Sequence, residues 1–179
     1  MTTTVEGVTI TGTLARAMTE VERLIAESST FQTRLGKSAD GLKANHIFFG
    51  EYALPEQSLP GDEITDHPDT FVVILEEAHD WSQYGQDASP CVGSGMSILV
   101  VFLAAPRFTE SASRSHLDFC NFISSVIDEA ATNQIATTND AIFFDQISLH
   151  TPPFRADLTR RESEDRFTAA YIFKSQGAS

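Results

Sequence analysis

The densest run of side chains able to do chemistry is Asp62-Glu63-Ile64-Thr65-Asp66-His67-Pro68-Asp69. Carboxylate oxygens at such close spacing suit a hard cation. An EF-hand loop, however, needs acids at alternating positions, a central Gly and a terminal Glu, and the run lacks that pattern. A solvated acidic loop is the ordinary outcome for such a run, and no metal site is assigned to it. The next candidate is Glu76-Glu77-Ala78-His79-Asp80. On a regular strand Glu76 and Ala78 project to one side and Glu77 and His79 to the other, so the five do not converge for acid–base work. Among nucleophiles, Ser94 lies in Gly93-Ser94-Gly95, which is not the Gly-x-Ser-x-Gly elbow and reads as a turn before a strand. Cys120 falls on an apolar helix face, where a cysteine acts as a small hydrophobe. Cys91 follows Pro90 in an expected loop with no basic neighbour in sequence to activate its thiol. No phosphate-cradling Gly-rich motif is present. No catalytic residue, metal ligand or cofactor site is therefore expected, and the chain reads as a protein without enzymatic activity.

The elements that would position these groups follow from periodicity. Leu14, Ala17, Met18, Val21, Leu24, Ile25, Ser28, Phe31 and Leu35 recur at three- and four-residue steps and predict one helix, closed by Gly36 in the left-handed conformation. Ala44–Tyr52, Thr70–Ala78 and Met96–Ala105 predict strands. Within the third, Ile98–Leu103 is apolar at every position, as in a central strand covered on both faces or placed at an interface. A second helix is expected from Ser111 or Ser113, with Leu117, Cys120, Ile123, Val126, Ile127 and Ala130 on its apolar face. Ala141–His150 and Phe167–Lys174 predict a closing strand pair. The expected fold is α+β, in the order α-β-β-β-α-β-β, with two helices on one face of a mostly antiparallel sheet of about five strands. Long connections are expected at Leu54–Asp69, His79–Ser94 and Thr151–Asp165.

The 179 residues fit one domain, with 1–10 and 175–179 expected as flexible ends. Hydrophobic residues make up 41%, and thirteen Phe against one Trp and three Tyr point to a core of Phe and aliphatic side chains. With 25 acids against 12 bases the net charge is −13, which repels nucleic acid and anionic lipid. The densest basic spot, Arg160-Arg161, is followed by Glu162 and Glu164. The start, Met1 to Glu6, has neither the basic residues nor the apolar core of a signal peptide. The longest apolar stretch is too short to span a bilayer. Two cysteines without metal-type spacing make reduced thiols in a cytosol the default expectation.

The element order is also that of the PD-(D/E)xK nuclease core, and Pro68-Asp69 stands before the second strand as that family requires. Its third strand needs an acid-x-Lys pair to hold metal and activate water. Here that strand reads Ser97-Ile98-Leu99-Val100-Val101-Phe102-Leu103, and the nuclease assignment fails. Over roughly Leu14 to Lys174 the layout resembles the tail terminator, or tail completion, proteins of long-tailed bacteriophages and prophages. The resemblance is carried by the opening helix through Glu22-Arg23-Leu24-Ile25, the long apolar third strand and the helix His116-Leu117-Asp118-Phe119-Cys120-Asn121-Phe122-Ile123. The charged run Asp157–Asp165 leading into Phe167–Phe173 adds to it.

The resemblance implies a ring, usually a hexamer of the chain with itself, that caps the tail tube protein and meets the head connector protein. DNA is then only passing cargo, no membrane or cofactor is involved, and no catalytic residue is inherited. The implied location is the bacterial host cytoplasm during assembly and the virion tail afterwards. A ring needs two different matching patches on each subunit. Aromatic side chains in polar loops make suitable anchors, so Trp81 and Tyr84 in one loop and Pro152, Pro153 and Phe154 in another are the expected contacts. A cytosolic module binding a small ligand or a protein, with a cleft between helices and sheet, is the alternative.

Overall fold

The computed structural model describes residues 3–5, 8–10, 13–50, 69–84, 91–104, 114–134, 142–156 and 166–176. Its side chains are described over 14–50, 69–78, 95–104, 114–134, 142–153 and 167–175. Two short strands the sequence does not announce, β1 (Thr3–Val5) and β2 (Val8–Ile10), pair antiparallel as a separate two-stranded sheet.

The long apolar periodicity after Thr13 is two helices, not one. α1 (Thr13–Ala26) buries Ala17, Val21, Leu24, Ile25 and Ala26. The chain then leaves the helix at Ser28, whose extended backbone (ψ 121°) starts α2 (Ser29–Leu35). The Ser28 hydroxyl accepts the Phe31 N–H at 3.1 Å, satisfying one of the donors that every helix start leaves open. Gly36 ends α2 at φ 61°, the left-handed stop expected of it, with its N–H on the Gln32 carbonyl. Ser38 opens a further short helix, α3 (Ala39–Asn45), which takes the first two residues of the predicted strand Ala44–Tyr52. The strand that follows, β3, is therefore reduced to Ile47–Phe49.

Four more strands complete a five-stranded sheet in the order β3-β4-β5-β7-β6. β4 is Thr70–Tyr84 and β5 is Cys91–Ala104. β6 is Gln146–Ala156 and β7 is Arg166–Gln176. The β3–β4 pair is parallel and the others are antiparallel, so the sheet is mixed but mostly antiparallel. β5 is central, as its unbroken apolar run predicts. Among the described residues the helices number four with α4 (Ser115–Asn133), where two were expected.

One face of the sheet and the helices form a single core. Val72, Ile74, Ile98, Val100, Phe102, Ala169 and Phe173 from the strands meet Val21, Leu24, Phe31, Phe119, Ile123 and Val126 from the helices. On α4 the buried stripe is Ser115, Phe119, Phe122, Ile123, Val126, Ile127 and Ala130. This corrects the predicted stripe, since Leu117 is 58% exposed and Cys120 is only half-buried. The larger Phe119 and Phe122 bury more apolar area than Leu117 and Cys120, and they set the helix's rotation. Phe119 stacks on Phe167 at 5.4 Å and Phe31 meets Phe122 edge-on at 5.7 Å.

Candidate functional site

The most tightly specified polar cluster joins α2 to α4. Glu129 of α4 reaches the first turn of α2, where its two oxygens take four hydrogen bonds. They come from the hydroxyls of Ser28 (2.7 Å), Ser29 (2.9 Å) and Thr30 (2.7 Å) and from the Thr30 N–H (3.1 Å). Burial raises the carboxyl's pKa, but the bonds from Thr30, Ser28 and Ser29 together outweigh it and bring the group down to about 2. A negative charge at a helix start also suits the helix dipole. Ser28 is thus a relay, donating to Glu129 while accepting from Phe31. This contact fixes the break between α1 and α2. The sequence signal for it was the triplet Ser28-Ser29-Thr30 inside an otherwise helical pattern, but its acid lies about a hundred residues away.

Beside this latch runs an open cleft of about 620 Å³ between α2 and α4, lined by Ser29, Thr33, Arg34, Asp118, Asn121 and Ser125 among others. It lies between two helices, whereas the sequence places a cleft between helices and sheet. Among the described residues no three His, Cys, Asp or Glu side chains come together as a metal site would require. The acidic run 62–69 lies outside the described residues except for Asp69, which is exposed.

The remaining sequence candidates are dispersed. Glu76 and Glu77 are exposed, and a bulge falls between Glu76 and Ala78. Glu76 sits opposite Ile98 and Ala78 opposite Ser97, so the bulge reverses the simple alternation read from sequence. Ser94 and Cys91, predicted in a turn and a loop, lie in β5 opposite Trp81 and Tyr84. Cys120 is a free thiol whose pKa burial pushes up, the opposite of an activated nucleophile.

The predicted contact residues are all on strands, which corrects their assignment to loops. The His79–Ser94 connection is mostly ladder, because β4 and β5 extend as a hairpin as far as the pair Tyr84–Cys91. Trp81 and Tyr84 are therefore β4 positions, and their side chains lie outside the described ones. Pro152, Pro153 and Phe154 lie in β6, an edge strand that tolerates proline because no outer ladder needs its N–H groups. Register shifts flank Thr151 and accommodate the two prolines. Pro152 is exposed and Pro153 half-buried, and the side chain of Phe154 lies outside the described ones.

The two groups do not form one patch. Phe154 aligns with Thr168, Leu103 and Phe71 across the sheet. Trp81 is about nine rises further along β4, roughly 30 Å away at ~3.3 Å per residue.

The second face of the sheet is apolar too, in keeping with the unbroken run Ile98–Leu103. There Phe71, Val73, Ala170 and Ile172 are buried, and Phe48, Leu75, Leu99, Val101 and Leu103 are half-buried. None of these belongs to the core shared with the helices. No helix among the described residues is long and apolar enough to cross a membrane, which says nothing of a β-barrel. In comparison with known proteins, no family model and no curated protein matches the chain.

Proposed function

We propose that this chain is a non-catalytic virion-assembly subunit of the tail-terminator kind, a ring former that caps a tail tube and joins it to the head. The observation that carries the reading is the central strand β5, apolar on both sides. Ile98, Val100 and Phe102 serve the helix core, while Leu99, Val101 and Leu103 face away from it with apolar neighbours on β4 and β7. Of the nine apolar residues on that second face, Phe71, Val73, Ala170 and Ile172 are already buried within the chain, while Phe48, Leu75, Leu99, Val101 and Leu103 remain half-buried, an apolar strip that suits a protein working in an assembly. The α+β element order and the charge of −13, which keeps free subunits apart and lets DNA pass without sticking, support the same reading. Its site of action is then the host cytoplasm during assembly and the tail afterwards.

Mass in solution across a concentration series, with negative-stain imaging, tests this. A sixfold species with a central hole, formed alone or on purified tail tubes, is the expected result. A chain that neither forms rings nor binds tubes overturns it. The polar α2–α4 cleft favours one second reading, a binding module for a small polar ligand. That reading requires a ligand that protects Thr33, Arg34 and Asn121 without changing the mass.

A further inference from the structure

Among the described residues, the large hydrophobics left exposed are Phe49 (47%), Leu117 (58%), Phe143 (58%) and Leu149 (48%). Their positions are not scattered. Phe49 is the last residue of β3, one edge of the sheet. Leu149 lies in β6, the opposite edge, Phe143 comes just before β6, and Leu117 is on α4, which packs beside β6. Among the described residues both edges therefore combine an outer strand with no further ladder and exposed apolar side chains, the combination that invites a further strand.

The two edges also differ in charge. From Gly36 to Gly50, the stretch holding α3 and β3, Lys37 and Lys43 outnumber the single acid Asp40, in a chain whose total is −13. From Ser115 to His150, which spans α4 and the start of β6, there is no Lys or Arg, and the acids are Asp118, Asp128, Glu129, Asp140 and Asp145. Glu129 is committed to α2 and Asp118 to the cleft. Asp128 and Asp145 are exposed. Asp128 lies off the buried stripe of α4, and its charge acts on Tyr171 of β7, whose ladder partners are Leu149 and Val100.

We propose that copies of this chain associate head to tail, the β6–α4 edge of one docking on the β3–α3 edge of the next. In that contact Leu149 meets Phe49, and Asp128 and Asp145 face Lys37 and Lys43. Complementary charge sets which edges meet, so that like edges repel and a symmetric dimer is disfavoured. Pro152 and Pro153 carry no N–H, so any new ladder is confined to Gln146–Thr151 and stays short. A repeated contact between two unlike patches propagates and closes into a ring when the rotation fits. Closure rests on the ring reading given above; the contact itself does not.

Leu149→Arg and Phe49→Glu test it, each at an exposed position and each placing a like charge against its proposed partner. The wild-type chain is expected to exceed monomer mass by light scattering, and less so as salt rises. Each variant alone is expected to be a monomer with wild-type circular dichroism. Mixed in equal amounts they are expected to associate again, through the intact edge left on each and through the two altered edges, which now carry opposite charges where they meet.

Variants that assemble like wild type, or a mixture that stays monomeric, overturn the proposal. So does a wild-type chain still monomeric at about 1 mM, where even a millimolar contact is half populated. Rings that form and resist both substitutions overturn the edge contact and leave the ring reading standing. Edge-dependent dimers or open chains that never close, alone or on tail tubes, keep the contact and overturn the ring.

Discussion

Replacing Glu129 by Gln removes the charge that holds α2 to α4 while keeping the shape and one acceptor oxygen. In the native protein both carboxylate oxygens accept two bonds each, from Ser28 and the Thr30 N–H on one side and from Ser29 and Thr30 hydroxyls on the other. The fall from the ordinary 4.5 to about 2 converts, at ~1.36 kcal/mol per pH unit, to at most about 3.4 kcal/mol of folding stability. Glu129 is half-buried, so solvent screening reduces this to about 2 kcal/mol. Because the folded-state pKa is the lower one, this stability is present above 4.5 and is lost as pH falls through about 2. Urea unfolding followed by circular dichroism checks both points. Glu129→Gln should unfold about 2 kcal/mol more easily at neutral pH, and the gap from wild type should close toward about pH 2. The pair Glu129→Gln and Thr30→Val should be non-additive, since each removes part of one network. A penalty that is the same at neutral and acid pH would mean that the latch acts through shape and not through charge, and would refute the reasoning.

Phe119→Ala, which removes a fully buried ring stacked on Phe167, should cost about 3–5 kcal/mol in the same assay. The two helix-end glycines should respond with opposite signs. Gly36→Ala places a side chain at φ 61° and should cost about 1–2 kcal/mol, although nothing lies within 4 Å of the new Cβ. Gly41→Ala, within α3 and meeting the Ser38 hydroxyl only at an ordinary 3.5 Å, should stabilise by about 0.5–1 kcal/mol. Tyr171 has its pKa raised, first by burial and then by the charge of Asp128. Asp128→Asn should lower it part of the way toward 10, read as an earlier rise of phenolate absorbance in alkaline titration. No change would mean that the charge of Asp128 does not act on Tyr171.

Much of the architecture was legible because it depends on local repetition. The apolar alternation of Phe167, Ala169, Tyr171 and Phe173 and the unbroken run Ile98–Leu103 led to β7 and to the central strand. Gly36 marked its helix end because few other residues adopt its backbone angle without strain. Boundaries were less legible. The β4–β5 hairpin runs several residues past its apolar stretch, since a long ladder supplies backbone pairing where the side chains give no signal. Pro152 and Pro153 argued against a strand, yet an edge strand makes no demand on their missing N–H groups.

The sequence by itself determined the α+β class, the five-strand count, the acidic charge and the lack of any recognisable catalytic motif, all of which follow from composition and short-range periodicity. Tertiary structure decided the rest. The helix break at Ser28 depends on Glu129, about a hundred residues away, and hydrogen bonds of that range leave no periodic trace. The rotation of α4 was settled by competition between two apolar stripes, and the stripe with the larger rings went inside. The parallel pairing of β3, the assignment of β3 and β6 to opposite edges and the isolation of Phe49 from Leu149 are properties of strand order. Strand order is set by which pairings let every apolar face close together, a global condition that no local window of residues contains.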